Sequence, residues 1–214
     1  MSNLGLGNLI ELKRNLLSPD LVPQTKYDAR ITAIGQGVAK WFDKHCNRKF
    51  ENAAATTDTF HSQRRVWILE RYPVVTITAV DERTSLADGW VSLGTVNNAL
   101  QNWDANSGTV YLSSLGGSHL SETRITYSGG YYFDVTETDP PGTTPPAGQT
   151  LLPTDVKGAW FLQCKKLWET YDVLGGGIVS GGSGAQLLGL SLAGLDILPA
   201  VEAMLQGHIR MNVS

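Results

Sequence analysis

The chain has 214 residues, enough for one substantial domain, or for a body of about 150 residues with an extension. Charged residues make up only 17% and the net charge is −3, which gives no electrostatic reason to grip nucleic acid, since that needs clustered Lys and Arg. No apolar run approaches the roughly 20 residues that span a bilayer, so a membrane protein is not expected. Cys46 and Cys164 stand far apart without C-x-x-C spacing, and no basic-then-apolar leader opens the chain, so a reducing cytosol is the expected compartment of synthesis.

Residues 8–17 place Leu9, Leu12, Leu16 and Leu17 at helical spacing, and Ser18-Pro19-Asp20 ends the pattern. A longer helix is expected over 24–47, with Tyr27, Ile31, Ile34, Val38, Trp41, Phe42 and His45 on one stripe. Gly35 and Gly37 inside it each cost on the order of 1 kcal/mol against Ala, and suggest close approach of another backbone. Residues 56–61 read as an edge strand and Gln63-Arg64-Arg65 as a turn into a strand at 66–69.

Around Arg71-Tyr72-Pro73 the chain turns into the strongest β pattern, residues 73–80. Strict alternation would put Val75, Ile77 and Ala79 on one face and Val74, Thr76, Thr78 and Val80 on the other. The short link from 70 to 72 predicts an antiparallel hairpin between 66–69 and 73–80. Residues 81–89 read as loop, and three further strands are expected at 90–93, 108–112 and 123–127. These strands within 56–128 make one small antiparallel sheet. Residues 134–148 form a Pro-rich loop or linker, and Pro153-Thr154-Asp155 opens a third helix over 153–174 that ends at Gly175-Gly176-Gly177. The tail from 176 to 214 mixes Gly, Ser and Leu, with a short helix possible at 199–206. It has too many leucines for an inert linker and too many glycines to fold alone, so it reads as a segment that orders against a partner.

No stretch assembles a catalytic constellation. The glycines of 175–184 lack the Lys and Ser/Thr of a phosphate loop, and Gly189-Leu190-Ser191-Leu192-Ala193 only approaches a nucleophile elbow. The four histidines show no metal-ligand spacing, so neither a metal nor a cofactor is expected. Arg64, Arg65 and Arg71 form the one basic concentration, either a solvated turn or a contact with an acidic partner. Trp168 lies off the Trp160 stripe and is expected at a subunit interface.

The order of the motifs carries a resemblance. A helix ending in Phe42-Asp43-Lys44-His45-Cys46-Asn47-Arg48-Lys49-Phe50 is followed by Thr59-Phe60 and by Val66-Trp67-Ile68-Leu69-Glu70-Arg71-Tyr72-Pro73-Val74-Val75-Thr76-Ile77-Thr78-Ala79-Val80. Then come Ile125-Thr126-Tyr127-Ser128-Gly129-Gly130-Tyr131 and a Pro-initiated helix. Over residues 8–175 the chain resembles the head–tail connector (adaptor, or head-completion) proteins of long-tailed bacteriophages.

The resemblance implies an α+β fold, a small helical bundle with a projecting β unit, in a structural virion protein rather than an enzyme. Its family forms a ring, usually twelve-fold, beneath the portal protein, joins it to a stopper or tail-completion protein, and leaves a channel through which DNA passes. Residues 1–175 would be the adaptor body. The family's C-terminal segments commonly reach the portal, so 175–184 is expected to be a joint, with Leu187, Leu188, Leu190, Leu192, Leu195, Ile197 and Leu198 docking there. Arg64, Arg65, Arg71 and Trp168 are the expected subunit or tail-side contacts. The protein would then be made in a bacterial host's cytoplasm and reside in the virion neck. The long 134–148 loop and the tail from 178 onward depart from the family pattern. The strands and tryptophans also permit a carbohydrate- or receptor-binding module, which requires exposed aromatic platforms.

Overall fold

In the computed structural model, residues 4–61, 66–93, 100–112, 122–134, 144–173 and 197–210 are described. Among the described residues there are four α-helices: α1 (Leu9–Leu16), α2 (Asp28–His45), α3 (Thr154–Val173) and α4 (Pro199–Leu205). Between α2 and α3 lie β1 (Ala53–His61), β2 (Val66–Ile68), β3 (Val74–Arg83), β4 (Val91–Ser92), β5 (Leu100–Asp104), β6 (Thr109–Leu112), β7 (Glu122–Gly129), β8 (Tyr131–Tyr132) and β9 (Thr150–Leu151). The fold is α+β, as expected. It divides into a helical unit (Met1–Asn47, Phe133–Pro145, Leu151–Arg210) and a unit of strands that contains Arg48–Tyr132. No described helix is long and apolar enough to cross a membrane.

In the helical unit, α1 starts where the Asn8 side chain accepts the Glu11 N–H at 2.9 Å, satisfying one of the orphan donors of the first turn. Helix α2 begins at Asp28 rather than 24, because the preceding residues are taken up in turns: Leu21 O accepts the Gln24 N–H and Thr25 O the Asp28 N–H. The buried Lys13 ammonium fixes that corner, 2.7 Å from Gln24 O and 2.6 Å from the Asp28 carboxylate. Ile31, Ile34, Val38 and Phe42 of the expected stripe are buried, while Tyr27, Trp41 and His45 are half-buried at its margins. Beyond the helix, Asn47 adopts φ 50, the left-handed conformation that ends many helices and that Asn tolerates.

Helix α3 buries Val156, Ala159, Trp160, Cys164 and Leu167. The Trp160 indole N–H donates to Gly35 O at 3.0 Å, and a Cβ on Gly35 would stand 3.1 Å from that ring and 3.0 Å from Leu12. Gly35 therefore admits an indole, not the neighbouring backbone that the sequence suggested. Helix α4 opens on Pro199, whose missing N–H costs nothing at a first helical position, and buries Val201 and Leu205 completely. It is tied down by Leu198 N–H to the Gln163 side chain at 3.2 Å, by His208 to Asp155 at 2.8 Å and by Arg210 N–H to Cys46 O at 2.8 Å. Both cysteines are free and buried, and burial pushes the Cys164 thiol up from its ordinary pKa.

The strand unit corrects the sequence reading in five places. Its strands form two main sheets, β1-β7-β3-β4 and β2-β6-β5, all antiparallel, rather than one sheet. The expected hairpin is absent: β2 pairs with β6, and β3 with β7. The link between β2 and β3 bonds elsewhere instead of across a hairpin, Leu69 N–H to Gly108 O, Glu70 N–H to Asp58 and Arg71 N–H to the Tyr127 hydroxyl.

Along β3 the buried apolar residues are Val74, Ile77 and Val80, at steps of three rather than two. Register shifts fall between Val74 and Thr76 and between Ile77 and Ala79. Each such bulge inserts one residue and reverses the alternation, so three successive apolar residues return to the core. That core comprises Leu69, Val74, Ile77, Val80, Val110, Leu112, Ile125 and Tyr127. Finally, β3 continues through Asp81, Glu82 and Arg83, which read as loop, and β5 occupies a polar stretch where no strand was expected.

Candidate functional site

Charged residues at the start of β7 explain the extension of β3. Register places His61, Glu122 and Arg83 in one row across β1, β7 and β3, and Thr59, Arg124 and Asp81 two residues further along, in the next row on the same face. Opposite charges directly across strands stabilise such a ladder. The buried Glu122 carboxylate takes the Arg83 guanidinium on one oxygen and His61 Nδ1 at 2.5 Å on the other. The Asp81 carboxylate accepts Arg124 Nε at 3.0 Å and Nη2 at 2.8 Å. Trp90 lies against both arginines, its ring centre 4.6 Å from the Arg83 guanidinium and 4.4 Å from that of Arg124.

An open groove of about 470 Å³ runs beside this cluster, lined by Arg83, Thr84, Asp88, Trp90, Val91 and Leu93 among others. Hydroxyls of Thr84 and then Ser85 hold the exposed Asp88 carboxyl below the usual carboxylate range. Val91 of its lining is 64% exposed, and Leu86, in the loop between β3 and β4, is 73% exposed. The arginines here are matched to carboxylates across the strands, so the arrangement ties the strand ends together. Its sequence signal is the pair Asp81-Glu82-Arg83 and Glu122-Thr123-Arg124, whose outer charges complement each other only when read antiparallel.

A second buried network shapes the turn before β3. Asp58 Oδ2 accepts the Tyr127 hydroxyl at 2.9 Å and the Glu70 N–H at 2.7 Å, and the Tyr127 oxygen accepts the Arg71 N–H at 3.0 Å. Nearby, the buried Arg48 guanidinium donates to Tyr72 O and lies 3.3 Å from the centre of the Tyr72 ring, with Phe50 and Tyr131 around it. Burial pushes Arg48 below its usual pKa, against the opposing pull of the Tyr72 and Tyr131 hydroxyls.

Of the residues singled out from sequence, Arg71 is half-buried, with its guanidinium donating to Glu51 O. Trp168, in the helical unit, is half-buried, edge-on to Tyr27 at 5.7 Å and beneath the Arg30 guanidinium at 4.6 Å. Ile197 and Leu198 are half-buried and lead into α4. Arg64, Arg65, Leu187, Leu188, Leu190, Leu192 and Leu195 lie outside the described residues. Trp160 is buried and the other five tryptophans are half-buried, while Tyr111 on β6 is 41% exposed.

No protein-family model matches the chain, and no curated protein does. Solved structures do match. A chain in the neck of an empty gene transfer agent (GTA) particle, computed with C6 symmetry, superposes with a TM-score of 0.59 at 14% identity, covering 96% of this chain and 90% of that one. This chain shares the fold of that neck chain. The virion of the native GTA particle gives the same values, and the native neck computed with C12 symmetry gives 0.54 at 15% identity, again over 96% and 90%. At these identities the shared property is the fold, over nearly the full length of both chains.

Proposed function

We propose that this chain is a structural subunit of the head–tail junction of a phage-like particle and not an enzyme. Copies close into a twelve-fold ring beneath a portal, pass the connection on to a stopper or tail-completion protein, and leave a channel for DNA. The observation that carries this reading is the fold shared with a GTA neck chain across 96% of the present chain. Those necks were computed with C6 and C12 symmetry, the symmetry of rings. The motif order over 8–175 supports it independently. A net charge of −3 suits a conduit, because a strongly basic lumen would hold the passing polymer by releasing its counterions.

In this reading the residues from 175 to 184 are a joint, and Leu187, Leu188, Leu190, Leu192, Leu195, Ile197 and Leu198 seat on the portal, while Arg64, Arg65, Arg71 and Trp168 meet neighbouring subunits or the tail side. Deleting 176–214 would also remove α4, whose Val201 and Leu205 are fully buried, so substitution is the cleaner probe. The test is binding to immobilised portal from the same particle. Wild type should be retained, and L187S/L190S/L192S should lose retention with an unchanged far-UV spectrum. Equal retention of the two would contradict the portal contact.

A further inference from the structure

We propose that neighbouring copies join edge to edge, β1 of one copy adding in parallel to the open edge of β3 in the next. The proposal rests on the ring reading above and names the contact that closes it. Among the described residues, neither edge of the four-stranded sheet is fully covered. At one end β1 runs for nine residues and pairs regularly with β7 from Thr56 to His61, while its other edge meets no strand among the described residues. Natural edges are usually blunted by Lys, Pro, bulges or a covering element. Past the irregularity between Ala53 and Thr56, β1 has no Lys, Pro or further bulge. Its one carboxylate, Asp58, is turned inward onto Tyr127 and the Glu70 N–H, and Ala54, Ala55, Thr57 and Thr59 are exposed and neutral.

At the far end β4 covers β3 only at Asp81 and Glu82. Val80 O accepts the Leu93 N–H, and Val74 N–H is bonded to Ala105 O. Between these two points lie the two bulges of β3, which blunt this edge only in part: Thr76 and Thr78 are exposed, and no described strand pairs there. Each copy thus offers two different open edges of one sheet, which is what a heterologous, ring-closing contact requires. Direction agrees as well. Both β1 and β3 run antiparallel to β7, hence parallel to each other, so a copy placed beside the next by rotation presents β1 parallel to β3. Both edges are neutral, and threonines on each can pair as Thr57 and Thr126 hydroxyls already do at 3.3 Å.

Cysteine pairs read this contact directly. Within one copy β1 and β3 are two strand spacings apart, about 9–10 Å, beyond the roughly 7 Å that a disulfide can bridge. The full-length doubles T57C/T76C, T57C/T78C, T59C/T76C and T59C/T78C would be assembled on portal from the same particle, oxidised, and run on non-reducing gels. At least one double should give a covalent ladder extending well beyond dimer, absent from each single variant and from wild type, whose own cysteines are buried. Rings seen by native mass analysis without any ladder would overturn the edge contact and leave the ring reading standing. A ladder stopping at dimer would overturn the head-to-tail arrangement, and wild type that forms no ring would overturn both.

Discussion

Tyr127 joins three segments through one oxygen, donating to Asp58 and accepting from the Arg71 N–H in a fully buried position. Burial first, and the Asp58 carboxylate second, push its ionisation up from the usual value of 10.0. In the unfolded chain the phenol ionises near that ordinary value, whereas the folded chain keeps its proton. Its contribution is therefore complete below about pH 10 and is lost as pH rises beyond it. Y127F should lower unfolding free energy at neutral pH by about 1–3 kcal/mol, the cost of leaving buried partners unsatisfied. The gap between wild type and variant, measured by chemical denaturation, should narrow as pH is raised past about 10. Identical stability at neutral pH would contradict this role.

Gly130 is the sharper backbone case. It has φ 102, and a Cβ there would collide with the Glu51 carbonyl. G130A should cost at least about 1–2 kcal/mol from conformation alone, read as a lowered denaturation midpoint. The glycine pair was visible in sequence as a motif, but the Glu51 backbone that forbids a side chain lies far along the chain and was not.

At the scale of elements, local pattern was read well wherever one period persisted. The first and third helices fall within a residue or so of their expected bounds, because leucines at helical spacing and a Pro start are local signals. Strand pairing was not legible. The two bulges of β3 alter its phase twice within seven residues, and no residue type in Val74-Val75-Thr76-Ile77-Thr78-Ala79-Val80 announces them. The charged end of β3 and the start of β7 look like loop until they are set against each other. The Trp90 cluster could have been found from the reversed charge order of 81–83 and 122–124.

Helix α4 supplies an element-scale prediction. Burial works against the Asp155 carboxylate, but His208 and the Val156 N–H together hold its pKa below the usual range. A depressed carboxylate stabilises above its unfolded value and loses that effect as pH falls through the lowered one. Amide protection factors across 200–205, taken relative to the intrinsic exchange rate at each pH, should therefore fall in acid, and D155N should show reduced protection already at neutral pH. Equal protection in D155N and wild type would assign the anchoring to Val201 and Leu205 alone. W160A removes the largest fully buried side chain of the helical unit and should cost about 3–5 kcal/mol in thermal or chemical unfolding.

For the whole molecule, composition excluded more than it assigned: few charges, a mildly acidic balance and two isolated cysteines argue against nucleic-acid grip and disulfide scaffolding. The ordered motifs resemble those of a connector, and the chain shares its fold with a chain of a GTA particle neck over 96% of its length. Subunit contacts stay hidden at this level, because a surface such as the neutral edge of β1 differs from an ordinary exposed strand only in what it lacks. The account stands on closure into a ring. Native mass analysis with negative-stain imaging of the full chain, alone and mixed with portal from the same particle, tests that most directly. A closed ring of twelve copies, free or on the portal, is the predicted result, and a monomer that remains a monomer in both conditions would contradict it.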